Sequence, residues 1–190
     1  MASSSKGATL LTSRLKYLYL AYLSRPVGDR AIYRTIRRRN VRKILEIGIG
    51  TAGRALRMID LARRGAPGET VRYVAIDMFE GRASSDAPGL SIKEAHRLLK
   101  ATTAQVQLIP GDPRTLARAA NALQNQDLVI ISAEHDDAAL AGAWFYLPRM
   151  LHADSVVYRE TRVAETLVPA LLAPSEIEFL ASANRRPRAA

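Results

Sequence analysis

The segment Leu45-Glu46-Ile47-Gly48-Ile49-Gly50-Thr51-Ala52-Gly53 joins a short apolar run to a stretch of helical composition. Three glycines at such a junction allow a tight turn and let a ligand approach the backbone. Gly48, Gly50 and Gly53 have the spacing of a nucleotide-cofactor loop, a pattern that several cofactor classes share and that a bare turn can also show. Glu46 narrows the choice. A carboxylate two residues before the first glycine would repel a pyrophosphate at the helix N-terminus that follows, but it suits a sulfonium ligand carrying an amino group.

Three more segments end apolar runs in polar chemistry. Val74-Ala75-Ile76-Asp77-Met78 places a carboxylate where it can accept hydrogen bonds from both hydroxyls of a ribose, or else cap the following loop. Ile109-Pro110-Gly111-Asp112-Pro113 offers a second carboxylate, beside a glycine that permits close approach. Its alternative is an Asp-Pro turn that starts the next helix. Ser132-Ala133-Glu134-His135-Asp136-Asp137 brings a histidine whose ordinary pKa, about 6.5, suits a general base, although a histidine in a polar loop also serves as a surface or capping residue. Glu134, Asp136 and Asp137 have the oxygen chemistry of divalent-cation ligands. Acidic groups at a helix start are the simpler reading, and no metal is assigned.

These segments need a scaffold that brings apolar runs side by side. Strands are expected over Val41–Ile47, Val71–Ile76, Val106–Ile109, Leu128–Ser132 and Ser155–Tyr158, with a short last one over Ile177–Ala181. Helices are expected over Asp29–Arg39, with Asp29 as cap, and over Ala52–Arg64, closed by Gly65. Further helices are expected over Ser91–Lys100, opened by a Ser91/Glu94 capping box, and over Thr115–Leu123, Asp137–Leu151 and Val163–Leu172. The strands are almost wholly apolar rather than alternating, as when helices cover both faces of a parallel sheet. The fold class is therefore α/β, a doubly wound and mostly parallel sheet. A helical extension over 1–40 precedes a cofactor-binding domain over 41–182, and a basic tail over 183–190 follows. Leu11, Leu15, Leu18 and Tyr22 recur at helical spacing and suit a docked first helix.

With Glu46 and the glycines on the first strand, Asp77 on the second and Asp112 on the third, residues 41–160 resemble the class I S-adenosylmethionine-dependent methyltransferases. Their first motif is an acidic residue followed by GxGxG; here the third glycine lies one residue later. The resemblance implies a Rossmann-like fold with S-adenosylmethionine as cofactor. It places Asp77 on the ribose, Met78 against the adenine, Asp112 at the adenine amino group, and Glu46, Gly48, Gly50, Gly53 and Ser132 around the rest. The fourth segment resembles the "Asp-Ala-Asp-His" stretch of small-molecule O-methyltransferases, with Ser132 and Glu134 replacing the aspartates. It implies catalytic roles for His135 and Glu134. The family commonly ends in a two-stranded hairpin, and only one strand is expected here, so the C-terminal end reads as abbreviated.

Hydrophobic residues at 48% and charged residues at 24% are those of a globular domain. There is no cysteine, which excludes a disulfide framework, cysteine-ligated zinc and a covalent thiol mechanism, and fits a reducing cytoplasm. The apolar stretch Tyr17–Leu23 is too short to span a membrane. The net charge is +10, with clusters over Arg34–Lys43 and Arg185–Arg188, read as a solvated face and a tail. No Asp/Asn-Pro-Pro-Tyr/Phe segment follows the fourth strand, which disfavours amino-methylating enzymes. Trp144, Phe145 and Tyr146 are read as core, with one of them able to cover a substrate. The favoured acceptor is a small molecule, methylated at oxygen. An RNA methyltransferase using the basic patch, an NAD-dependent oxidoreductase and a non-catalytic cofactor-binding scaffold stay open.

Overall fold

The computed structural model describes residues 14–83, 89–164 and 166–184. Six strands form one sheet: β1 (Lys43–Ile47), β2 (Arg72–Asp77), β3 (Gln105–Pro110), β4 (Gln126–Ile131), β5 (Leu151–Val163) and β6 (Thr166–Leu171). Their spatial order is β3-β2-β1-β4-β5-β6. The first five run parallel, and β6 turns back antiparallel on β5. The helices are α1 (Asp29–Arg38), α2 (Gly53–Gly65), α3 (Ile92–Lys100), α4 (Leu116–Ala119), α5 (Asp137–Trp144) and α6 (Pro174–Ala183).

Alternation along the strands divides the core in two. Ile44, Tyr73, Ala75, Leu128 and Ile130 pack with Ile32 and Ile36 of α1, Met58 and Ile59 of α2, and Leu99 of α3. Leu45, Ile47, Val74, Ile76, Val129 and Ile131 pack on the other face with Leu116, Leu140, Trp144 and Ile177. The sheet is thus doubly wound with helices on both faces, as its apolar strands require. Among the described residues no helix is long and apolar enough to cross a membrane.

The capping box forms as expected. Ser91 Oγ accepts from the Glu94 backbone N–H, and the Glu94 carboxylate accepts from that of Ser91. Elsewhere the boundaries move. Asp29 is the first residue of α1 rather than its cap, which is Gly28, and its buried carboxylate accepts from the Tyr33 hydroxyl at 3.2 Å. The expected helix over Thr115–Leu123 is a 3-10 turn, Pro113–Thr115, followed by the short α4. The one expected over Asp137–Leu151 stops at Trp144, and a separate 3-10 turn, Leu147–Met150, contains Pro148.

The C-terminal assignments are exchanged: 166–171 is strand and 174–183 is helix. Pro169 would break a helix but is tolerated on β6, an edge strand, while Pro174 at the first helical position favours a helix start. In the helical segment over 14–23 that precedes α1, Tyr17, Leu20 and Ala21 face inward with the capping Ser24, and Leu15, Leu18 and Tyr22 are exposed. The small Ala21 and Ser24 allow close approach, and Ser24 Oγ satisfies itself on the Leu20 carbonyl at 2.6 Å. Leu11 and residues 185–190 lie outside the described residues.

Candidate functional site

Parallel registration brings four strand ends to one level. Ile47 pairs with Ile76 on one side and Ile131 on the other, and Asp77 pairs with Pro110. Gly48, Asp77, Ser132 and Gly111 therefore stand side by side at the carboxyl edge. The chain leaves β1 for β2 on one side and reaches β4 on the other, which makes the crevice above β1 the switch point where such sheets bind ligands.

The loop above β1 uses its glycines unequally. Gly48 (φ +84°) carries no side chain because a Cβ there would strike the Glu134 carboxylate and come within 2.7 Å of the Ser132 Cβ. Gly50 (φ +53°) faces open space, so its backbone can be approached directly. Gly53 begins α2 in an ordinary helical conformation, and nothing crowds it closer than Thr51 Oγ1 at 3.9 Å. Ala52 precedes it in the left-handed region, at φ +58°.

Asp77 is buried and held from two directions. Its Oδ2 accepts the Ile49 N–H of the glycine loop at 2.8 Å, and Oδ1 accepts the Phe79 N–H at 2.8 Å. Arg82 adds two bonds, Nη2 to Oδ2 at 2.6 Å and Nε to Oδ1 at 3.2 Å. The same guanidinium reaches across the crevice to Glu134, with Nη1 donating to Oε2 at 2.7 Å and Nη2 to Oε1 at 3.2 Å. Hydrogen bonding to Glu134 and Asp77 outweighs burial and raises the Arg82 pKa. Arg82 was not legible as a site residue. The available signal was its place five residues after Asp77, within a side chain's reach of that carboxylate.

His135 lies beside this bridge, its Nε2 3.7 Å from Glu134 Oε1 and buried without a hydrogen bond among the described residues. Burial pulls its pKa down against the pull of the Glu134 and Asp77 charges, so the imidazole is neutral at neutral pH. Ser132 Oγ accepts the Glu134 N–H at 3.4 Å. Asp136 caps α5 by accepting the Ala139 N–H at 2.7 Å, and Asp137 pairs with Arg159 at 2.6 Å. No three His, Asp or Glu side chains among the described residues converge to hold a metal ion. Trp144 is core, 2% exposed.

Glu46 does not join the cluster. It shares strand parity with Ile44, which turns its side chain toward α1 and α2. There Oε1 accepts Arg54 Nε at 2.8 Å and Oε2 accepts the Tyr73 hydroxyl. Arg54 also pairs with Glu160 and, at 3.5 Å, with Asp29. Burial pushes the Glu46 carboxyl up, opposed by Arg54, and raises the Tyr73 phenol. Both carboxylate oxygens are thus engaged with Arg54 and Tyr73 beneath the loop, where the expected contact was with a ligand's amino group. An acidic residue in an otherwise apolar strand demands a buried cation, and Arg54 in the first turn of α2 was the nearest candidate.

Asp112 caps the turn that follows β3, its Oδ1 accepting the Arg114 N–H at 2.9 Å. That matches the alternative reading of its Asp-Pro sequence while leaving the side chain half-buried at the strand edge. Met78 is 38% exposed at the end of β2.

No protein-family model and no curated protein sequence matches the chain. Solved structures do. An O-methyltransferase, TomG, from Streptomyces achromogenes superposes with a TM-score of 0.51 at 16% identity, over 80% of this chain and 64% of that one. The O-methyltransferase from Bacillus cereus gives 0.51 at 17%, over 84% and 67%. A TehB-like methyltransferase from Corynebacterium glutamicum gives 0.51 at 11%, over 94% and 83%. The chain has the fold of the class I S-adenosylmethionine-dependent methyltransferases. It spans just under two thirds of TomG's length. On this methyltransferase fold, the glycine loop, Asp77, Ser132, Glu134 and His135 occupy one carboxyl-edge crevice. Of the Arg34–Lys43 cluster, the part from Arg37 onward sits at the other edge, where Arg37 Nη1 meets the Gly65 carbonyl at 3.3 Å and Lys43 opens β1, while Arg34 donates to the Ala21 carbonyl at 3.1 Å.

Proposed function

We propose that the chain is an S-adenosylmethionine-dependent methyltransferase that methylates a small molecule at oxygen. One observation carries the reading: Asp77 is fixed beside the open backbone of Gly50 on a methyltransferase fold. The TomG structure is a complex with S-adenosylmethionine and the Bacillus cereus one with its demethylated product, which supports the same cofactor here. The residues fit it. Gly50 leaves the loop free of side chains at the crevice, and the Asp77 carboxylate suits a ribose diol. Met78 and Asp112 border the adenine end, while Gly48 and Ser132 line the floor between β1 and β4. Glu46 supports the loop from below.

When bound, the cofactor supplies a methyl group on an electrophilic sulfonium. The chain's own residues align the acceptor and remove its proton. His135, kept neutral by burial, takes the hydroxyl proton on its imidazole ring. The imidazolium that results lies 3.7 Å from Glu134, whose charge favours it. Arg82 holds both oxygens of Glu134, so that carboxylate orients and stabilises rather than abstracts.

The basic Arg37–Lys43 cluster lies away from the crevice, which favours a small acceptor over RNA. Isotope-labelled methyl transfer into fractionated cell extract tests the reading. Label is expected in the small-molecule fraction as a base-stable ether, and label confined to RNA or protein would overturn the acceptor class.

A further inference from the structure

The hydrogen-bonding capacity of Asp77 is full. A carboxylate offers about four lone-pair sites, and here four donors use them. Two are backbone N–H groups, from Ile49 and Phe79, that the fold holds in place. The other two belong to Arg82. A ribose diol on Asp77 needs two sites, and only the guanidinium can vacate them.

We propose that Arg82 is an internal competitor at the cofactor site, occupying the edge of Asp77 that a ribose diol requires, so that nucleoside binds by exchange with the guanidinium. The inference rests on Asp77 as the ribose acceptor. Three features favour exchange. Arg82 keeps a two-bond partner in Glu134, so leaving Asp77 does not strand a bare cation in a half-buried crevice. Its side chain is 11% exposed, where a charge needs such a partner. Glycines make room at both ends of the bridge: a Cβ at Gly89 would strike Arg82 Nε, and one at Gly48 would strike Glu134.

A ligand profits from Asp77 only through a pair of hydroxyls that replaces the two lost bonds. Arg82 thus lowers the affinity for a ribonucleoside while leaving one that lacks the diol unaffected, and so narrows the difference between them.

Calorimetric titration of wild type, Arg82→Met and Arg82→Lys with S-adenosylhomocysteine, adenosine and 2′,3′-dideoxyadenosine tests this. Arg82→Met is expected to bind the first two roughly tenfold more tightly, the scale of one charge-assisted hydrogen bond, with dideoxyadenosine unchanged. Arg82→Lys, which keeps the charge but not the fork, gives a smaller gain and supplies the comparison if the methionine variant does not fold. Asp77→Asn in the Arg82→Met background abolishes the gain. Equal or weaker binding of S-adenosylhomocysteine by both Arg82 variants, or an equal gain for dideoxyadenosine, overturns the exchange and leaves Asp77 as ribose acceptor. If Asp77→Asn changes affinity for S-adenosylhomocysteine in neither background, the ribose reading fails and the exchange with it.

Discussion

Arg54→Met removes the cation on which three buried carboxylates converge. Asp29, Glu46 and Glu160 are each 6% exposed or less at their side chains, and come from α1, β1 and β5. Breaking a buried pair by removing one partner costs about 3–5 kcal/mol, because the charge left behind has neither water nor counter-ion. Domains are stable by about 5–15 kcal/mol, so the variant gives up a large share of its total. At roughly 2–4 °C per kcal/mol for a chain of this size, the melting midpoint should fall by roughly 6–20 °C. Urea denaturation should show a lower midpoint with an unchanged slope. The deficit should shrink in acid. Burial already lifts the Glu46 carboxyl in the folded state, and without Arg54 it rises further, so protonation relieves the strain as pH falls below that raised value. Adding Glu46→Gln to Arg54→Met should restore part of the loss. A deficit under about 1 kcal/mol, the scale of an exposed ion pair, would refute a buried, coupled cluster.

Asp77→Ala should weaken S-adenosylhomocysteine by about 1.5–3 kcal/mol, the worth of hydrogen bonds to a charged group, as read by calorimetry. Gly50→Val should abolish cofactor binding while the protein stays folded by circular dichroism, since a branched side chain at φ +53° is strained and fills the ligand's approach. His135→Ala should lower turnover about 10²–10⁴-fold with cofactor affinity kept. In the parent protein the acid limb of the pH–rate profile should lie below about 6.5, because burial lowers the His135 pKa and the base form persists further into acid. The same shift makes the unfolded chain the better proton acceptor there. The stability His135 contributes is therefore whole above about 6.5 and is lost as pH falls through its lowered value.

What the sequence shows of this molecule divides along physical lines. The apolar strands β1, β2 and β4, the Ser91 capping box and the glycine loop are legible because short-range rules decide them. The C-terminal exchange was less so: 163–172 is apolar enough for either structure, and what decides it is pairing with β5 at the sheet edge, a long-range fact. Pro169 and Pro174 carried the signal. At the site, Gly48, Asp77 and Ser132 were readable from strand ends, because parallel registration places strand ends together. The partners of Glu46 were not legible, since its direction depends on strand parity and on Arg54 in the first turn of α2. Arg82 went unread because its partners, Asp77 and Glu134, are brought together only across the crevice.

On the proposed function, the carboxyl-edge crevice takes S-adenosylmethionine on the glycine loop and Asp77. Parallel calorimetric titrations of the unmodified protein with S-adenosylmethionine, S-adenosylhomocysteine and NAD test this. The first two should bind in one-to-one stoichiometry and NAD should give no heat of binding, whereas saturable NAD binding with no response to S-adenosylhomocysteine would contradict the claim.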